Sequence, residues 1–343
     1  MGCATPQVNT MDAVTPTGSA STALLLTGGL ANIIPTIVQN SGAQTAHKFV
    51  EFFIGQIRNA NTRKAYGHAV RTFLDWCEKH GAERLEDISY IAVASYIEQH
   101  PGSAQTVNQH LTAIRRLFVW LVAQKVLILN PAENVVGRKH RTKIGKTPEL
   151  DSAETRQLLN SFDTTHIIGL RDRVLISVMC YSFARISAVV AMNVEDYFLK
   201  GANHWIRLHE KGGKYLEWPL HHAANVYLHQ YVEAAAQQEG IDWGKGMPLF
   251  RSQQRGRVQR LSNHRFDRRD AWAMVKRKVK DAGINTDACN HTFRATGITN
   301  FLENGGALEI AQEIAGHVDS RTTALYDRRR EKVSLNEIER VRF

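Results

Sequence analysis

The sequence predicts a mainly α protein in two parts: a small all-α N-terminal domain, and a mixed α+β domain whose helices accompany a small antiparallel three-stranded sheet. Three observations carry that expectation. Apolar residues recur at helical spacing through residues 43–124, three strand-like runs cluster between Val194 and Leu220, and the rest of the chain returns to helical periodicity. The length of 343 residues agrees, because a single core stops growing at about 250–300 residues.

The elements follow in order. Residues 1–42 are rich in Thr, Ser, Ala and Gly, hold no Lys or Arg, and carry only a short apolar patch, Ala23–Leu26. They lack the basic start and long apolar run of a signal peptide, and an unstructured tail is expected. The helical domain is expected over 43–136. Ala46–Ile57 is amphipathic. Thr62–His80 sets Tyr66, Val70, Phe73 and Cys77 on one face and shows Arg63, Lys64, Gly67 and Arg71 on the other. Leu85–His100 reads as a third helix, stopped by Pro101-Gly102. Ser103–Gln124 reads as a fourth, with Val107, Leu111, Ile114, Phe118 and Leu121 on its apolar stripe. Residues 137–150 form a basic, unpatterned linker with Arg138, Lys139, Arg141, Lys143 and Lys146, a composition that suits a phosphate backbone as well as a solvated loop.

The second domain is expected over 151–343. Asp151 and Glu154 fit a capping box for a helix to Phe162. An apolar helix, Arg173–Ser182, leads to Arg185. Three strands are expected at Val194–Leu199, His204–His209 and Tyr215–Leu220, with Lys211-Gly212-Gly213-Lys214 as the hairpin turn of the last two. Helices are expected at Ala223–Gln237, Asp267–Ala282, His291–Glu303 and Leu308–Ile314, with a last one from Ser334.

Composition narrows the function classes. With 43% hydrophobic and 22% charged residues the chain is ordinary globular protein, and no apolar run approaches the roughly 18 residues of a membrane span. Cys3, Cys77, Cys180 and Cys289 lie far apart, without metal-ligand spacing. That argues against a disulfide scaffold and suits a reducing cytoplasm. The formal charge is +10, all of its Lys and Arg lie after residue 47, and that excess points to a polyanionic partner.

Motifs supply the chemistry. His-x-x-Arg occurs three times, as His68/Arg71, His204/Arg207 and His291/Arg294, and Gly-His occurs at Gly67-His68 and Gly316-His317. Taken singly each is an ordinary surface pair. One combination is ordered: Arg185 after an apolar helix, Lys211 at a hairpin tip, His291-Thr-Phe-Arg294, Gly316-His317, and Tyr326 nine residues after His317. In that combination, over roughly residues 44–343, the chain resembles the tyrosine recombinase (phage integrase) family.

The resemblance implies a helical core-binding domain and a catalytic domain that clamp double-stranded DNA, cut it and rejoin it through a 3′-phosphotyrosyl intermediate, without ATP, cofactor or metal. It implies catalytic roles for Arg185, Lys211, His291, Arg294, His317 and the nucleophile Tyr326. The residue types suit the reaction. Two permanently charged, fork-shaped guanidiniums can grip both non-bridging oxygens of a phosphodiester. A phenol with a pKa near 10 needs a base, here His291 for preference. The leaving oxygen needs an acid, Lys211 by resemblance, with Lys214 the fallback. It also implies that the C-terminal helix with Leu335, Ile338 and Val341 packs on a neighbouring protomer in a tetrameric synapse. A site in the cytoplasm, associated with the nucleoid, follows from such a partner. The basic residues Arg63, Lys64, Arg71, Arg115, Arg138, Lys139 and Arg141 are the expected DNA contacts. Three positions depart from the family: Phe183 where glycine is frequent, Ala188 where an acid that orients the first arginine is frequent, and, at a less demanding place, Ala295 where histidine is frequent. The competing readings are a metal-dependent DNA nuclease, which needs a carboxylate cluster, and a non-catalytic DNA-binding accessory protein, which has no reason to keep the full set.

Overall fold

The computed structural model describes residues 34–139, 147–210, 214–241, 243–256 and 259–327. The chain divides into two compact units, residues 1–141 and 142–343.

The N-terminal unit is helical. Helices Ala60–Lys79 and Ala104–Ala123 form its centre, capped at their starts by Asn59 and Ser103. The expected stripe of Val107, Leu111, Ile114, Phe118 and Leu121 is buried, and Phe73 meets Phe118 and Tyr96 edge-on. Two expectations need correcting. The tail does not run to residue 42: Thr36–Asn40 is a helical turn with Ile34, Ile37 and Val38 buried in this core. It is held by Ile37 N donating to Glu78 Oε1 (2.7 Å) and by Leu85 N donating to Ser41 Oγ (2.8 Å). One turn is too short to display a period, so only tertiary contact reveals it. The helix expected over Leu85–His100 is broken, with a 3₁₀ turn at Leu85–Asp87 and an α-helix at Tyr90–Gln99 that starts where Ser89 Oγ accepts from Ala92 N. The first helix, Ala43–Glu51, ends in a π turn, Phe52–Gln56.

The linker begins as part of this unit: Asn108 Nδ2 donates to the Arg138 carbonyl at 2.8 Å. Lys211, Arg141 and the helix expected from Ser334 lie outside the described residues.

In the second unit the expected capping box forms at Asp151 and Glu154. Helix Ile167–Ser182 starts earlier than its apolar run and is buried nearly all round, as a central helix must be. It packs against His222–Glu239 and Asn290–Glu303. The latter can approach because Gly297 has no side chain: a Cβ there would lie 2.0 Å from the Cys180 carbonyl. The sheet is antiparallel in the order β1 (Tyr197–Lys200), β2 (Asn203–Glu210), β3 (Lys214–Pro219), with Arg207 opposite Glu217 and Phe198 opposite Trp205. Ile206 and Leu208 point into the core. A second hairpin, Arg251–Gln253 with Leu261–Arg265, was not expected, because its short polar strands show no alternation. Helices Arg268–Asp281, Leu308–Ala315 and Ser320–Ala324 complete the described chain. No described helix is long and apolar enough to cross a membrane.

Candidate active site

Four of the expected residues converge where the helix Asn290–Glu303, the turn after Leu308–Ala315 and the end of Ser320–Ala324 meet. Helix 290–303 starts in a reciprocal cap, with Cys289 N donating to Thr292 Oγ1 at 3.0 Å. That fixes its first turn, so His291 stands near the mouth and Arg294, one turn on, points inward and is 1% exposed. A buried guanidinium must be satisfied. Arg294 Nη1 donates to the Phe183 carbonyl and Nη2 to the Ala315 carbonyl (2.6 Å).

Phe183 explains the missing glycine. It ends helix 167–182 in the left-handed conformation, φ 53°. That conformation costs a non-glycine residue about 1–2 kcal/mol. Its ring offsets this by burial with Ala295, Ile298, Leu302, Ala315 and Tyr326, edge-on to Phe301. The same turn delivers Arg185, half-buried, to the N-terminus of the short helix Ile186–Ala191. Ala188 is buried in the main core of this unit, away from water.

Gly316 ends its helix at φ 60°, the left-handed conformation that favours glycine, and a Cβ there would press on the tip of the Leu216 side chain of β3 at 2.8 Å. His317 follows, buried, its ring stacked parallel on Tyr326 at 6.0 Å between centroids. Its Nδ1 lies 2.9 Å from Thr323 Oγ1. Tyr326 is itself 8% exposed, and its hydroxyl lies 2.9 Å from His291 Nε2. Thr299 Oγ1 touches both the Tyr326 carbonyl (3.2 Å) and Glu149 Oε2 (2.7 Å), which fixes the backbone of the tyrosine.

The electrostatics follow from burial beside two cations. Loss of water pushes the Tyr326 phenol up, while the Arg294 and Arg185 charges, and a hydrogen bond from Arg294, pull it back. His291 keeps an exposed edge, but protein around the rest of its ring lowers its pKa, helped by the Arg294 and Arg185 charges. His317 is pushed down to about 3, by burial first and then by Arg294, Arg185 and His291. Both imidazoles are therefore neutral at pH 7, each with one protonated and one unprotonated ring nitrogen. Among the described residues no group of three or more His, Cys, Asp or Glu side chains converges as metal ligands.

The residues expected to touch DNA divide. Lys64, Arg71 and Lys139 are exposed. Three others are turned inward. Arg63 Nε and Nη2 donate to the Ile57 carbonyl (3.0 and 2.8 Å). Arg115 donates to the carbonyls of Ala132 and Val135, and Arg138 to those of Glu98 (2.6 Å) and Gly102 (3.2 Å). Guanidiniums near helix and loop ends satisfy orphaned carbonyls, and a polar helix face does not betray that in sequence. Sequence reasoning also missed the exposed Arg268, Arg269, Arg277 and Lys280 of helix 268–281, with Trp272 51% exposed among them. Their spacing on one helix was a signal that could have found them. It missed Thr299 and Thr323 as well, whose hydroxyls carry no sequence signature.

Known proteins share both the sequence pattern and the fold of this chain. The phage integrase family profile matches residues 148–332, more than half of the chain, and the profile of the phage integrase N-terminal SAM-like domain matches residues 47–125. The chain is 28% identical to tyrosine recombinase XerD of Listeria monocytogenes serotype 4b (strain F2365), over 78% of this chain and 88% of that one. It is 27% identical to tyrosine recombinase XerD of Corynebacterium glutamicum, over 78% and 87%. Its fold is similar to XerH site-specific recombinase bound to palindromic difH substrate in a post-cleavage complex (TM-score 0.67, 16% identity, 89% of this chain and 98% of that one). It is also similar to a lambda integrase (75–356) dimer bound to a COC′ core site (TM-score 0.60, 16% identity, 84% and 99%).

Proposed function

The chain belongs to the tyrosine recombinase (phage integrase) family and is a DNA strand-cleaving and -rejoining enzyme, and from that premise we propose that Tyr326 is its nucleophile and Arg185, Lys211, His291, Arg294 and His317 its catalytic set. The observation that carries the proposal is the 2.9 Å contact of Tyr326 Oη with His291 Nε2 beside the buried Arg294.

The phenol oxygen attacks the scissile phosphorus as His291 Nε2 takes its proton. Tyr326 becomes joined to the 3′ phosphate, and the bond to the 5′ oxygen breaks. Lys211 gives that oxygen a proton, leaving a 5′-hydroxyl. Arg185 and Arg294 hold the non-bridging oxygens, on which charge grows in the transition state. A guanidinium has five N–H donors, so the two carbonyls that grip Arg294 fix its orientation without exhausting it. The phosphotyrosyl bond keeps the energy of the broken linkage. A second 5′-hydroxyl reverses the steps, and no ATP is consumed.

The partner is double-stranded DNA, met by exposed basic residues of both units: Lys64, Arg71 and Lys139 in one, Arg268, Arg277 and Lys280 in the other. Exchange of the C-terminal segment joins protomers in a tetrameric synapse, and the working location is the nucleoid in the cytoplasm. The test is a nicked suicide substrate with EDTA present. A covalent adduct mapping to Tyr326 and absent from Tyr326→Phe is expected. An adduct that survives that substitution, or one that requires divalent metal, overturns the reading.

A further inference from the structure

His317 has two ring nitrogens, and which one carries the proton decides what it can do for the reaction. Its Nδ1 faces Thr323 Oγ1 at 2.9 Å. Thr323 is 0% exposed, and among the described residues its hydroxyl has no other hydrogen-bond contact. A buried hydroxyl that fails to donate keeps the full cost of its lost hydration, so its proton points at the one acceptor within reach among the described residues, His317 Nδ1. Were the bond reversed, with Nδ1–H donating, the hydroxyl hydrogen would be left buried without an acceptor.

We infer that Thr323 is a positioning residue which holds neutral His317 in the Nε2–H tautomer, so that His317 can donate a hydrogen bond but cannot accept a proton through Nδ1. The inference rests on the proposed role of the site and deepens it. With Nδ1 occupied and Nε2 already protonated, His317 is removed as a competing base, and the phenol proton goes to His291, whose Nε2 is 2.9 Å from Tyr326 Oη. The two histidines thus divide donor and acceptor work between them. Thr323 also lies one turn before Tyr326, whose backbone N donates to the Thr323 carbonyl at 2.9 Å. The same residue therefore orients the histidine and starts the turn that delivers the nucleophile. The stacking of His317 on Tyr326 at an interplanar angle of 6° depends on the ring rotation that this bond sets.

Nitrogen-15 NMR of the histidine-labelled full chain tests the inference on the unaltered protein. A pyridine-like Nδ1 and a pyrrole-like Nε2 are expected for His317 near pH 7, and the opposite assignment overturns it. Thr323→Val keeps the shape and removes the donor. It should shift the His317 signals toward tautomer exchange and lower single-turnover cleavage of the suicide substrate about 10–100-fold, the usual scale for losing a partner that orients a working histidine, while substrate binding stays within about twofold, a split set by this proposal. Thr323→Ser should restore both the spectrum and the rate. If Thr323→Val folds with unchanged spectrum and rate, Thr323 positions nothing, even though Tyr326→Phe still abolishes the adduct. If Thr323→Val does not fold, the wild-type spectrum and the Thr323→Ser rate decide. Survival of the adduct in Tyr326→Phe would instead remove the reading of the site itself.

Discussion

Each unit of the molecule buries a tyrosine hydrogen-bonded to a histidine, and only one of the two pairs sits beside arginines. In the N-terminal unit Tyr96 Oη lies 2.7 Å from His110 Nδ1. In the catalytic unit Tyr326 Oη lies 2.9 Å from His291 Nε2. Both tyrosines are pushed up by loss of water. For Tyr96 the neighbouring Cys77 adds to the rise, whereas for Tyr326 Arg294 and Arg185 oppose it. The same kind of bond is a core contact in one place, and in the other it stands beside positive charge, which favours the phenolate that desolvation disfavours. The two helical His-x-x-Arg motifs repeat the lesson. His68 and Arg71 are both exposed, while Arg294 is buried and bonded to two carbonyls.

The sharpest way to break this comparison is to remove each phenol. Tyr326→Phe should abolish covalent adduct formation, whereas Tyr96→Phe should leave it intact, both read on a denaturing gel with a suicide substrate. Next, Arg185→Ala should slow single-turnover cleavage about 10²–10³-fold, the cost of one preorganised donor. Arg294→Ala should match that loss and also lower the melting temperature, because the Phe183 and Ala315 carbonyls lose their donor.

Acidification should weaken both units for the same reason. His110 is held down to about 4 and His317 to about 3, each chiefly by burial. An unfolded histidine takes its proton near pH 6.5, so between that pH and the depressed values the unfolded state binds more protons and stability falls as pH falls. Each should contribute a loss of about 2 kcal/mol at pH 5, read by denaturant titration; a flat profile from pH 7 to 5 would refute it. The cleavage rate should also fall on acidification, but only below the ordinary histidine range, because His291 is lowered. Arg185→Ala should move that acid limb upward.

The smallest effects should separate two kinds of arginine and lysine in the N-terminal unit. Lys64→Ala should flatten the salt dependence of DNA binding by about one unit of slope. Arg115→Ala should instead cost about 1–3 kcal/mol of stability, because its guanidinium serves the carbonyls of Ala132 and Val135.

Much of this was legible without coordinates. The stripe from Val107 to Leu121, the capping box at Asp151 and the three-strand order each depend on residues a few positions apart, and spacing reports them directly. The same is true of the string from His291 to Tyr326. The buried turn at Thr36–Asn40 was not legible, since five residues hold no period. Nor were the inward arginines Arg63, Arg115 and Arg138, since a charge on a polar helix face looks alike whether it meets water or a carbonyl.

The amino-acid order by itself determined which helices and strands form and which side chains have the chemistry to break a phosphodiester, because both are properties of near neighbours and of functional groups. Only the tertiary structure decided which His-x-x-Arg is buried, which tyrosine lies under two cations and how Phe183 replaces a glycine. Those outcomes depend on partners far away in the chain, such as the carbonyl 111 residues before Arg294. Burial and Coulomb energy are set by distance in space, which spacing in sequence does not encode.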